Sequence, residues 1–145
     1  MKKSFDYFAC LEQQSALILR LCRGGEPAPQ ALAKKCGALH RRLAKAALED
    51  FLPPLDRGDL LRMSQALEGL AWEAAANAVP EKNEARAQAL HRAVRQLPGL
   101  KKNAGELLKL AWEIKALARE GGTAALPGRF AEVADALECA AVKNV

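Results

Sequence analysis

The sequence predicts an all-α fold, an up-and-down antiparallel bundle of about six helices in one domain covering residues 1–145. Three observations predict it. Ala and Leu dominate while runs of Val, Ile, Thr and Tyr are missing, a composition that favours helix over strand. Apolar residues recur at three- and four-residue steps along nearly the whole chain. Breaks carrying Gly or Pro divide it at short intervals, and short connections between helices call for antiparallel neighbours.

The first helix is expected over Ser4–Arg23, with Phe5, Phe8, Leu11, Ser15, Ile18 and Cys22 on one stripe. Gly24-Gly25 stops it and Glu26-Pro27-Ala28-Pro29 forms a stiff link. The second runs Pro29–Phe51, with Leu32, Cys36, Leu39, Leu43 and Ala46 inward. Gly37 sits in its middle at a cost of about 1 kcal/mol relative to Ala. Pro53 and Pro54 then force a corner, because each lacks an N–H and its ring clashes one turn back. Behind them, Asp56 and Asp59 are placed to cap the third helix, Arg57–Val79, where a carboxylate accepts orphan N–H groups. That helix turns Leu60, Met63, Leu67, Leu70 and Ala74 inward. A fourth is expected over Lys82–Leu97 with Ala87, Leu90, Val94 and Leu97 on its stripe. A fifth, Lys101–Arg119, carries Ala104, Leu107, Ala111, Ile114 and Ala118. Residues 121–128 read as a loop, and a sixth helix, Arg129–Val142, carries Phe130, Val133, Leu137 and Ala141.

Bulk properties narrow the function. No apolar run approaches the ~20 residues of a membrane span. Asp6 and Glu12 interrupt any signal-peptide core, so a cytoplasmic location is expected, with at most peripheral membrane association. The net charge of +5 is uneven: residues 1–54 carry nine Lys and Arg against five Asp and Glu. This permits an acidic partner without demanding one. Cys10, Cys22, Cys36 and Cys139 form no CxxC pair and read as small buried hydrophobes. His40 and His91 have no Ser or Cys partner at a telling spacing, and no glycine-rich phosphate loop, H-E-x-x-H or G-x-S-x-G string is present. Neither catalysis nor a cofactor is expected.

A faint internal echo joins the two halves. Leu32-Ala33-x4-Ala38-Leu39 recurs as Leu110-Ala111-x4-Ala116-Leu117, and Ala66-Leu67-Glu68 recurs as Ala136-Leu137-Glu138, at offsets of 78 and 70. The echo points to a duplicated three-helix unit, with coincidence in an Ala/Leu-rich chain as the alternative.

The string Phe51-x-x-Pro54-x-Asp56-Arg57-x-Asp59-Leu60, followed by Leu67-Glu68-x-Leu70, resembles the PhoU-like phosphate-transport regulators, in particular the branch that accompanies Pit-type phosphate permeases. The resemblance implies a bundle of two three-helix repeats, a permease as partner, and carboxylates four residues apart that hold metal clusters. This chain departs at most of those positions. They fall on Ala33 and Gly37 in the second helix, Glu68 and Trp72 in the third, Ala111 and Lys115 in the fifth, and Ala131 and Asp135 in the sixth. Carboxylates one turn apart share a face and can hold hard cations together, and a lone one cannot build a multinuclear site. No metal site is therefore expected.

Two further surfaces are candidates for partner contact. Lys34, Arg41 and Lys45 share one face of the second helix, with Lys35 and Arg42 beside it. This is an anion-facing patch or simply a solvated face, and without interleaved aromatics it does not indicate nucleic acid. Trp72 and Trp112 each sit in a Leu-Ala-Trp-Glu string, as partly buried packing or as a patch for a partner or a homodimer. The expected function is that of a non-enzymatic accessory protein of the PhoU-like kind. The alternative is a generic helical adapter or obligate homodimer whose basic face binds an acidic partner.

Overall fold

The computed structural model describes residues 5–77, 80–121 and 125–145. Six α-helices occupy most of them: α1 (Tyr7–Arg23), α2 (Pro29–Glu49), α3 (Arg57–Asn77), α4 (Pro80–Val94), α5 (Leu100–Arg119) and α6 (Ala125–Val142). No strand is present among the described residues.

The ends of the helices differ from the sequence expectation for local reasons. Ser4, Ala78 and Val79 lie outside the described residues. The second helix stops at Glu49, before Phe51: Asp50 is its extended C-cap (φ −80°, ψ 130°), and no helix runs on through the proline pair that follows. The fourth stops at Val94, and Leu97 belongs to a separate 3-10 turn, Leu97–Gly99, around Pro98. The sixth begins at Ala125, inside the expected loop, since Pro127 falls in its first turn, where a missing N–H costs nothing.

The helices form two units. In the first, α1 packs on α2 and α3, and α2 on α3; in the second, α4 packs on α5 and α6, and α5 on α6. Side-chain ties show α2 antiparallel to both its neighbours: Cys10 meets Leu39 and Gln14 meets Cys36, while His40 meets Ser64 and Cys36 meets Leu67. The units join along two antiparallel seams. In one, α1 lies on α4, with Arg23 paired to Glu84 and Arg95 to Glu12. In the other, α3 lies on α6, with Arg129 paired to Glu73 and Lys143 to Asp59. Consecutive helices were all expected to pack together, yet α3 and α4 make little contact. The chain crosses there from one unit to the next. The core is continuous through both, with Leu11, Ile18, Leu43, Leu67, Leu70, Leu107, Phe130 and Leu137 fully buried.

Within α2 the buried stripe is rotated from the expected one. Leu39 and Ala46 are only half-buried, while Ala33, Gly37 and Ala47 are buried with Leu32, Cys36 and Leu43. Small residues there let α2 approach its neighbours closely.

The proline corner between α2 and α3 is pinned from three sides. Arg57 donates from Nε to the Ala47 carbonyl (2.5 Å) and from Nη2 to the Asp50 carbonyl (2.7 Å), satisfying the exposed end of α2. The buried Tyr7 hydroxyl donates to Asp50 Oδ2 (3.2 Å). Asp56 Oδ1 accepts the Asp59 N–H (3.1 Å), and Lys143 at the far end of α6 reaches Asp59 Oδ2 (3.0 Å) and Asp56 Oδ1 (3.8 Å). Of the apolar residues of the corner only Leu55 packs against the core, whereas Phe51 is 89% exposed and Leu52 79%. Replacing the cap, Asp56→Ala, is expected to cost about 1 kcal/mol. In a thermal melt that is a fall of roughly 2–4 °C for a domain of this size.

Candidate functional site

Of the eight degenerate positions named from the sequence, the structure brings Gly37 against Glu68 in the first unit and Lys115 against Asp135 in the second. In the first unit Glu68 of α3 lies directly over Gly37 of α2, so close that a Cβ on Gly37 would overlap the Glu68 carboxylate, with the Arg41 guanidinium alongside. Ala33 is buried one turn earlier, and Trp72, one turn beyond Glu68, is 43% exposed. In the second unit Lys115 of α5 points to α6 and places its ammonium 2.6 Å from Asp135 Oδ1 and 2.5 Å from Glu138 Oε2. Ala111 is buried beside it, and Ala131 is half-buried on α6.

The offsets of the sequence echo, 78 and 70, carry Gly37 onto Lys115 and Glu68 onto Glu138. Both pairs are in contact, so the two units juxtapose equivalent positions. Glu138 is the residue that sequence reasoning passed over. It closes the echo Ala136-Leu137-Glu138, which was the signal that could have found it.

Electrostatically the two positions differ. The hydrogen bonds that the ammonium donates to Asp135 and then to Glu138 raise the Lys115 pKa above its usual 10.5, against the smaller opposing effect of burial. A fixed ammonium on α5 thus stands between two carboxylates of the facing helix α6. Among the described residues no three His, Cys, Asp or Glu side chains gather into a group that could hold a metal ion.

A polar groove runs beside this region between α3 and α6, lined by Arg62, Glu68, Trp72, Arg129, Glu132 and Asp135. Cations and carboxylates alternate along it, with Arg129 bound to Glu132 (3.3 Å) and Glu73 (3.9 Å). Trp72 lies on its rim, whereas Trp112 stands on α5 and is 53% exposed.

The basic residues of α2 are all exposed: Lys34, Lys35, Arg41, Arg42 and Lys45. They do not form one patch. Arg41 turns toward Glu68, while Lys35 and Arg42 border the valley between α2 and α1.

The histidines do have serine partners, contrary to the sequence reading, because those partners lie on other helices, where linear spacing cannot show them. His40 Nδ1 is 2.9 Å from Ser64 Oγ, and His91 Nδ1 is 2.7 Å from Ser15 Oγ. Gln14 Nε2 donates to the Cys36 and Ser64 carbonyls, which turns its Oε1 toward Ser64, whose hydroxyl donates to it (3.0 Å). Ser15 likewise donates to the Glu12 carbonyl (3.0 Å). With the serine protons directed this way, the tautomer that fits each histidine carries its proton on Nδ1 and donates it to the serine oxygen. Both serines are fully buried. These are ties between helices, α3 to α1 and α2, and α4 to α1.

Burial lowers the pKa of both imidazoles below the usual 6.5. The unfolded chain therefore takes up protons before the folded one does. Stability from these ties is complete above pH 6.5 and falls as pH drops below it. Melting temperature is expected to decline between about pH 7 and about pH 5, with the decline reduced in a His40→Gln, His91→Gln double variant.

All four cysteines are free. Burial pushes the thiol pKa of Cys10 up to about 11 and those of Cys22 and Cys36 up to about 12. Cys139 is only half-buried, and the Arg62 guanidinium lies 3.2 Å from its sulfur.

The site and fold together define a helical bundle of two juxtaposed three-helix units, with Glu68 over Gly37 in the first and Lys115 paired to Asp135 and Glu138 in the second. No family model matches the chain, and no curated protein or solved structure matches it either. No helix among the described residues is long and apolar enough to cross a membrane.

Proposed function

We propose that the protein is a non-enzymatic accessory factor of the PhoU-like kind, which acts by protein–protein contact at a Pit-type phosphate permease and works without bound metal. One observation carries the reading: the Lys115 ammonium lies between Asp135 and Glu138, at a position equivalent to Gly37 opposite Glu68. An internal cation there neutralises the carboxylates that an external cation would otherwise bridge. The pairwise arrangement of two three-helix units and the polar-pinned proline corner support the resemblance that suggested the partner.

Purified protein titrated with Fe and Zn is expected to bind neither tightly, and tight multi-metal binding would overturn the metal-free reading. Affinity capture from cells is expected to recover a permease, and deletion of the gene to change phosphate uptake. Unchanged uptake with no permease recovered would reject the transport role. The second reading, a general helical adapter or homodimer, is favoured by the exposed basic residues of α2, which need no transport partner.

A further inference from the structure

The valley between α1 and α2 has an apolar floor and basic walls. Ala16 and Leu17 of α1 face Ala38 and Leu39 of α2 across a groove of about 450 Å³. Arg20 stands on one wall, and Lys35 and Arg42 on the other. Among the described residues no Asp or Glu lines it. Glu26 holds the Arg20 guanidinium through two hydrogen bonds (3.1 and 3.3 Å). Among the described residues neither Lys35 nor Arg42 enters an ion pair.

We infer that this groove docks an amphipathic helix with acidic flanks, contributed by a partner protein. A trough between two antiparallel helices is the shape that a third helix fills, with its apolar stripe on the floor. Lys35 and Arg42 are two helical turns apart, about 10.5 Å along α2. A helix lying alongside meets both with acidic residues seven positions apart. The complementary charge decides against other occupants. A second copy of this chain would bring a net charge of +5 against a wall of cations. A flat bilayer would meet the exposed basic rim and not the half-buried Leu17 and Leu39 beneath it. The inference rests on the reading that the protein works by protein contact, and it does not depend on which partner that is.

The test uses the full chain and two labelled synthetic peptides of about 18 residues, long enough to form helix on docking. Both carry one Leu stripe, flanked in one by Glu and in the other by Lys. The Glu peptide is expected to bind, and the Lys peptide to bind at least about tenfold more weakly. Lys35→Glu with Arg42→Glu should weaken the Glu peptide by about tenfold or more, with unchanged melting because both sites are exposed. A second variant, Ala38→Tyr, should block the floor for either peptide. Equal binding of the two peptides, or indifference to both variants, overturns the proposal. So does loss of the same size with Lys101→Glu and Lys109→Glu on α5, which would mean diffuse charge attraction. Binding of anionic phosphatidylserine vesicles in place of the Glu peptide would reassign the groove to a lipid surface and overturn it too. Because the probe is synthetic, failure here leaves permease capture and uptake as separate tests of the proposed function.

Discussion

Lys115→Glu is expected to lose stability in chelator and to regain it on addition of calcium or manganese. The lysine ammonium contacts Asp135 at 2.6 Å and Glu138 at 2.5 Å from a half-buried position. Removing it and adding a third carboxylate leaves like charges on facing helices, at a cost of about 2–3 kcal/mol. A glutamate oxygen stops about one bond short of where Nζ stood. A cation at that point would meet the Asp135 and Glu138 oxygens at 2.6 and 2.5 Å, at the upper end of the range of about 2.3–2.6 Å that calcium prefers, and the introduced carboxylate has to turn aside from the ion to add a third oxygen at that distance. At a hundredfold excess over its dissociation constant, such an ion restores about 2.7 kcal/mol. Calorimetry in chelator and in metal checks this, with Lys115→Met as the control that removes the cation without adding an acid. A Lys115→Glu melting temperature blind to both would mean that the facing carboxylates cannot be bridged. Because the Lys115 pKa is raised, the native cluster is intact through neutral pH and weakens only as pH climbs past the usual 10.5. The loss in the variant at pH 7 therefore reflects the missing partner and not a titration.

Gln14→Ala should be the most damaging polar-to-alanine change on α1. Gln14 is fully buried and bonds to α2 through the Cys36 carbonyl and to α3 through both the carbonyl and the hydroxyl of Ser64. Truncation removes all three bonds and leaves a cavity, for an expected loss of about 3–4 kcal/mol in denaturant unfolding. Gln14→Leu fills the space and should cost about 1–3 kcal/mol. In either variant the Ser64 proton is released and can turn to His40. Nitrogen NMR is then expected to show the His40 proton moving from Nδ1 to Nε2. An unchanged tautomer would mean that Gln14 does not set the direction of the chain of hydrogen bonds.

The elements that sequence reasoning placed well are those with a strong period and a sharp stop. Leu60, Met63, Leu67, Leu70 and Ala74 all lie buried along α3, and Phe130, Val133, Leu137 and Ala141 along α6. What it misplaced depended on tertiary contacts. Pro127 looked like a loop residue because a proline in a first helical turn and one in a turn leave the same mark. The expected α2 stripe included Leu39, but the close approach of its neighbours selected Ala33, Gly37 and Ala47 for burial and left Leu39 on the groove. His40 and His91 looked solitary because Ser64 and Ser15 are 24 and 76 residues away in the chain. The candidate positions Gly37 and Lys115 were named from a resemblance, and only the fold showed that each faces an equivalent glutamate.

The distribution of thiols gives the molecule an internal clock. Cys10, Cys22 and Cys36 lie on α1 and α2, sealed and poorly ionised, while Cys139 sits partly open on α6. A thiolate-seeking alkylating agent should therefore modify Cys139 first and the other three only during excursions that lift α1 or α2 from the helices around them, since Cys10 lies against Leu39 of α2, Cys36 against Leu67 of α3 and Cys22 near Arg86 of α4. Timed by mass spectrometry, the second, third and fourth additions would measure how often the amino-terminal unit breathes. No reporter has to be engineered, and the carboxy-terminal unit stays silent after its single early mark.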